Sequence, residues 1–197
     1  MCQLECCSMI NGIKESGLMN QGIFRAFTAC AFLSVAASCS STVTPNRDTG
    51  PHDVKASPPG KAQCFGPNSA EQAMGVQATN RARSSAGLPS VKADGALARA
   101  AAAHACDMAE RGIMTHTGSS TSGPSARVKK LGYAPRVTAE NIAAGPYSAA
   151  QAFAAWNGSS GHLQNILIPQ MRDFGVGSAV GSDGKTVYWA AVYAARR

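Results

Sequence analysis

The stretch Trp156-Asn157-Gly158-Ser159-Ser160-Gly161-His162-Leu163-Gln164-Asn165-Ile166-Leu167 is the densest patch of unusual chemistry in the chain. It combines one of two tryptophans, a run of small polar residues, and a histidine that leads into an apolar turn. Small residues at Gly158, Ser159, Ser160 and Gly161 let the backbone turn sharply and come close to a ligand. Ser159 or Ser160 can cap a helical turn beginning near His162. Taken alone, the stretch reads as a helix end, a turn and a capped helix start, with an exposed histidine. Its weight comes from what surrounds it.

Working outward, Ser148 is a cap for a helix running through Trp156, and Pro169 breaks the chain after the short turn at 163–167. Two strand patterns follow, at 174–180 and 186–195. The second alternates Val187, Trp189 and Ala191 against Tyr188, Ala190 and Val192, and Ser182-Asp183-Gly184-Lys185 is the hairpin turn between them. Upstream, Asn68 or Ser69 caps a first helix ending near Ser85, with Glu71 at the capping-box position and Ala86-Gly87-Leu88-Pro89 as its stop. Asp94 caps an alanine-rich second helix, residues 95–111, ended by Gly112. Leu97, Ala101, His104 and Met108 form one stripe of that helix, so His104 reads as a packed, inward-facing residue. A third helix spans about 125–131, and residues 137–144 read as an extended segment or turn. Helices ahead of a terminal antiparallel hairpin, with no βαβ alternation, give an α+β domain.

The N-terminal third has a different composition. Cys2, Cys6 and Cys7 crowd residues 1–18, which read as a non-native start ahead of Met19. From there Arg25 precedes an apolar run at 26–37, of signal-peptide length and too short to span a bilayer as a helix. Ala36-Ala37-Ser38-Cys39 resembles a lipobox, although Ala36 stands where Leu or Val is usual, so Cys39 is the expected lipidation site, with plain secretion as the alternative. Residues 39–63 are rich in Ser, Thr, Pro and Gly and read as a flexible tether, leaving 64–197 as the folded domain. An extracytoplasmic location is expected, as a lipoprotein of the outer membrane or cell surface, or else secreted or periplasmic. Cys64 and Cys106 are then the two cysteines left in the folded part, and an oxidising compartment pairs them. Two free thiols are the alternative.

The net charge is +7, and after Cys64 there are 13 Lys and Arg against 7 Asp and Glu. These cations are scattered and not interleaved with aromatics, which argues against a nucleic-acid groove. A monomer with membrane contact through its lipid anchor is expected. No Gly-x-Ser-x-Gly elbow and no Walker or Rossmann glycine loop is present, and Ser beside His in sequence is not a catalytic triad. The remaining chemistry lies in His116, Glu140 and His162. Two imidazoles and a carboxylate can hold Zn²⁺ or another divalent metal, or work as a general acid–base pair. Their separations in sequence carry no geometric information.

Four motifs in order are similar to the CAP superfamily (cysteine-rich secretory proteins, antigen 5 and pathogenesis-related 1; SCP domains), in its bacterial extracytoplasmic branch. They are His104 to Met108 with Asp107; Thr115-His116; Ala139-Glu140-Asn141-Ile142-Ala143; and Trp156 through Ser160-Gly161-His162 with Asn165-Ile166-Leu167. The resemblance spans about Gln72 to Tyr193 and implies an α-β-α sandwich around a central antiparallel sheet, with a cleft of two His and two Glu. It places His116, Glu140 and His162 in that cleft, with His116 and His162 as candidate metal ligands and Ser159, Ser160 and Asn141 at its periphery. Ser159 stands where the second glutamate would fall, so the full tetrad is absent. The resemblance carries three expectations for function: a module binding a lipid, small molecule or cell-envelope ligand; a hydrolase using metal-activated water on peptide or cell-wall material; or a structural envelope protein.

Overall fold

The computed structural model describes residues 53–197. The expected leader, the expected lipidation site Cys39 and the first part of the expected tether lie outside the described residues.

Three layers are stacked around an antiparallel sheet. The element order is β1 (Val54–Lys55), β2 (Gln63–Cys64), α1 (Ser69–Ser85), β3 (Lys92–Ala93), α2 (Gly95–Arg111), β4 (Ile113–Met114), α3 (Pro124–Lys130), β5 (Pro135–Gly145), α4 (Ala149–Gly158), α5 (Ser160–Ile166), β6 (Asp173–Val180) and β7 (Val187–Arg196). The main sheet runs β2-β6-β7-β5, and β3 adds a short parallel pairing to β6. β1 and β4 form a separate two-stranded ribbon. Strand alternation splits the core in two. Ile142, Ala179, Ala190 and Val192 pack with Leu97, Ala101, Ala105 and Met108 of α2. Phe174, Val176, Trp189, Ala191 and Tyr193 face Phe153, Trp156 and Ile166 of α4 and α5.

The alanine-rich helix is explained by the strand beneath it. A Cβ on Gly175 would lie 2.2 Å from Ala98 N, and one on Gly177 would lie 2.3 Å from the Ala102 backbone. α2 therefore rests with its backbone almost against β6, a spacing that only glycine opposite alanine permits. Arg83, on α1, is fully buried. It donates to the carbonyls of Pro89 (2.7 Å), Ile166 (2.7 Å), Ile168 (2.9 Å) and Met171 (3.1 Å), tying α1 to the end of α5 and the turn after it.

Caps follow local chemistry. Asn68 accepts from Ala70 N and Glu71 N, Asp94 from Ala96 N and Leu97 N, and Ser148 forms a reciprocal capping box with Gln151. Gly112 ends α2 in the left-handed conformation, φ 66°. Glu71 is not used as a capping-box partner; its carboxylate accepts from Ser178 Oγ at 3.4 Å. Cys64 and Cys106 are joined in a disulfide. One boundary needs correction. Residues 53–63, assigned to the tether by composition, are laid along the end of α2, with Ala56 N bonded to Gly112 O and Gly60 N to Glu110 O. Backbone pairing with β4 and the Ser57–Tyr188 hydroxyl contact at 2.9 Å order a segment with little apolar surface of its own.

Candidate functional site

Glu140 is the centre of the site. It lies on β5, the edge strand, where alternation sends Glu140 and Ile142 toward α2 and α3, and Asn141 toward α5. The carboxylate is 4% exposed. Arg127 Nη2 donates to both oxygens, at 2.6 and 2.7 Å. His116 Nδ1 lies 2.9 Å from Oε2, so the imidazole donates through Nδ1. Arg127 also holds the His116 carbonyl at 3.2 Å and Thr121 Oγ1 at 3.3 Å. His104 Nε2 lies 3.7 Å from Oε2 but donates at 2.8 Å to the carbonyl of Thr115, the residue before His116.

Burial alone would raise the Glu140 carboxyl, but the His116 hydrogen bond and the charge and hydrogen bonds of Arg127 outweigh it and hold Glu140 below its ordinary value. It is ionised. For His104, burial outweighs the pull of Glu140 and keeps the imidazole neutral, so the cation facing Glu140 is Arg127. His162 is lowered by burial and by repulsion from His116.

His162 sits in the first turn of α5. Asn141 Nδ2 donates to the His162 carbonyl at 3.1 Å; Asn165 Nδ2 reaches Asn141 Oδ1 at 2.8 Å and Glu140 O at 3.1 Å. Trp156 Nε1 donates to Ile142 O at 3.1 Å. These bonds fasten α4 and α5 to β5. Asn141, expected at the cleft periphery, is fully buried and belongs to this fastening. Ser159 occupies the N-cap position of α5 without a side-chain cap bond, and Ser160 begins the helix, exposed.

His116 and His162 line one cleft of about 330 Å³, walled by Met114, Ile142, Tyr147 and Trp156. His162 Nδ1 is itself buried and has no hydrogen-bond partner. Glu140 is not on its surface. The sequence expectation put His116, Glu140 and His162 in one cleft; here His116 and His162 line it and Glu140 does not, and neither Arg127 nor the approach of His104 to Glu140 was expected. Nothing local marks Arg127, which follows Ser125-Ala126 in a short helix and acquires its role only when α3 meets β5. The inward stripe of α2 did mark His104 as packed.

A three-ligand metal site does not fit these residues as they stand. Both Glu140 oxygens are engaged by Arg127, and one also by His116. His116, Glu140 and His162 do not bring three ligand atoms within 4.8 Å of one another; among the described residues the group that does is Cys64, Cys106 and Glu110. Its two sulfurs are consumed by the disulfide.

The sequence pattern of the cysteine-rich secretory protein (CAP) family matches residues 76–193. The chain belongs to this family. The CAP domain is 32% identical over 102 residues to the uncharacterised protein YkwD of Bacillus subtilis, a match covering 52% of this chain and 40% of that protein. It therefore spans about two fifths of the length of that relative. Among solved structures it is similar to an extracellular SCP-domain protein of Bacillus anthracis (24% identity, TM-score 0.57, covering 64% of this chain and 41% of that one). An outer surface protein of Borrelia burgdorferi has the same fold (19% identity, TM-score 0.58, covering 66% and 95%). The CAP fold, with its α-β-α layering and antiparallel sheet, agrees with the α+β expectation.

Proposed function

We propose that this CAP domain is a binding module whose ligand enters the His116–His162 cleft. The observation that carries this reading is the division of labour around Glu140. The carboxylate is held by Arg127 and orients His116, while His116 and His162 line a largely apolar cleft that does not include Glu140. Walls of Met114, Ile142, Tyr147 and Trp156 with imidazoles at one end suit an amphipathic molecule, such as a single-chain lipid or a small apolar compound with one polar group. Among the described residues no activated nucleophile lines the cleft, which favours binding over covalent catalysis.

Titration calorimetry with decanoate, decanol and Zn²⁺, on the unaltered protein and His162→Ala, tests the reading. Saturable heat with the amphiphiles that falls at least tenfold in affinity in the variant is expected. Identical heats in both proteins would remove the cleft from the account. Zn²⁺ binding lost on His116→Ala, with no response to amphiphiles, would replace it with a metal site.

Export through residues 19–38 and anchoring at Cys39 form part of the same proposal, supported by the extracellular and outer-surface descriptions of the two structural relatives. Intact mass of protein from the native host should show a mature chain starting at modified Cys39; a chain retaining Cys2 overturns it.

A further inference from the structure

Charge is unevenly divided between the two ends of the sheet. The starts of β5 and β6, the end of β7 and the short β3 lie together at one end, as the pairs Pro135↔Arg196, Asp173↔Ala194 and Lys92↔Asp173 require. Lys92, Lys129, Arg136, Arg172, Arg196 and Arg197 are exposed there, six cations against the carboxylates of Asp94 and Asp173. The other end holds β1, the last turn of α2 and the hairpin between β6 and β7. Its cations Lys55, Lys61, Arg111 and Lys185 are matched by Asp53, Asp107, Glu110 and Asp183. The 17 residues of α2 separate the two ends by about 25 Å.

Both carboxylates at the basic end are engaged. Asp94 accepts from Arg196 Nη2 at 2.7 Å and caps α2, and Asp173 accepts from the Tyr133 hydroxyl at 2.7 Å. Arg196 lies over the Tyr133 ring, 4.1 Å from its centroid. Arg172 donates to the carbonyls of Pro169 and Met171, which leave its charge uncompensated. Among the described residues Lys92, Lys129, Arg136, Arg172 and Arg197 form no salt bridge. Two cavities open here. Lys92, Arg136, Arg172 and Arg196 line one of about 450 Å³, and Lys129, Pro135 and Arg197 line one of about 390 Å³. The paired ends of β5 and β7 divide them: Pro135 and Arg197 face one cavity, Arg136 and Arg196 the other.

We infer that this end of the domain is a docking surface for a linear polyanion with repeated phosphate groups, whose chain crosses the ends of β5 and β7 and sets phosphates in both cavities. Guanidinium and ammonium groups are the side chains suited to phosphate oxygens. Cations on both sides of the strand ends call for anionic charge at several points along one molecule, which a single phosphate does not supply. A bilayer fits less well. The exposed Val54, Phe65, Met74, Leu131 and Tyr147 line neither cavity, so no apolar anchor accompanies the charge. Nucleic acid gains nothing from its bases, because the aromatic ring in these linings, Tyr133, is buried beneath Arg196. The surface shares no residue with the His116–His162 cleft.

Titration calorimetry of the whole protein at low salt tests this, with linear polyphosphate as the probe. Orthophosphate, phosphatidylglycerol vesicles and a thymidine oligonucleotide are the comparators. Polyphosphate should bind saturably and at least a hundredfold more tightly than orthophosphate. Lys92→Gln/Arg136→Gln/Arg197→Gln removes three exposed side chains that hold nothing in the fold. It should weaken polyphosphate at least tenfold and lower the slope of log affinity against log salt by about 2, at an unchanged melting temperature. Lys55→Gln/Lys61→Gln/Lys185→Gln removes the same charge from the other end and should bind within twofold of the unaltered protein. In the unaltered protein, amide shifts on adding polyphosphate should gather around Lys92, Arg136 and Arg197. The proposal is overturned by absent or non-saturable heat, by orthophosphate matching polyphosphate, or by equal losses in the two triple variants (net charge only). Shifts centred on Lys55, Lys61 and Lys185 overturn it too, as does tighter binding, per phosphate, to the vesicles or the oligonucleotide. None of these outcomes bears on amphiphile binding in the cleft.

Discussion

Removing Arg127 tests the central arrangement most directly. Arg127→Gln leaves Glu140, 4% exposed and ionised, with His116 as its one remaining polar contact of the two that hold it. Breaking a buried pair by deleting one partner costs about 3–5 kcal/mol, because the other charge stays buried. A domain of this size has a total of about 5–15 kcal/mol, so the variant should approach the edge of stability. Glu140→Gln should also lose stability, since it strands the guanidinium. The double variant should recover much of the deficit, giving a coupling energy of about 2–3 kcal/mol in a urea-denaturation cycle. The pH dependence adds a signature. In the unaltered protein Glu140 titrates below its ordinary value of 4.5. Its contribution is therefore complete above about 4.5 and is lost as pH falls through the lower folded value. In Arg127→Gln, burial is less opposed and the carboxyl should shift upward. That variant gains from protonation, so the two stability curves should converge at acid pH. Strictly additive losses with parallel pH curves would refute the ion-pair account.

Three further outcomes are expected. His104 is neutral when folded and its unfolded value is near 6.5; the unfolded chain takes up a proton first, so stability measured by denaturation should begin to fall below about pH 6.5, and His104→Gln should flatten that slope. Gly177→Ala drives a methyl into the Ala102 backbone and should cost about 3 kcal/mol, the upper end for overpacking, read as a lower denaturation midpoint with unchanged slope. Cys106→Ser opens a bridge spanning 42 residues; about 4 kcal/mol should be lost on the chain-entropy estimate, a fall in melting temperature of roughly 8–16 °C by calorimetry.

Much of the fold was legible because its signals are local. Asn68, Asp94 and Ser148 are caps whose side chains satisfy free amides whatever lies beyond, and Gly112 is a helix stop for conformational reasons. The period-two pattern around Tyr188 and Trp189 announced β7. The segment at 137–144 was ambiguous because its partner, β7, lies some 50 residues away in sequence and its apolar run is short. The tether boundary failed for a related reason. Residues 53–63 are ordered by backbone bonds to the end of α2, which composition does not report. At the site, the histidines and the acid were recognisable as residue types, but their division into cleft and support depends on which face of an edge strand each one meets. Arg127 was invisible because a buried guanidinium looks like any surface arginine until its carboxylate is known.

Gln72 has a consequence for how the molecule meets other chains. β6 is paired by β3 at one end and by β2 at the other, and between them Val176 offers an amide and a carbonyl to no strand on that side. The Gln72 side chain takes both: Nε2 donates to Val176 O at 2.5 Å, and Val176 N donates to Oε1 at 3.0 Å. A primary amide has the donor and acceptor of one peptide group, so Gln72 acts as a single residue of missing strand carried on a helix. An unpaired stretch of sheet invites a strand from another molecule. By filling the gap from α1, Gln72 satisfies the one peptide group that β2 and β3 leave over, and the edge of β6 offers no free pair there for a strand to extend.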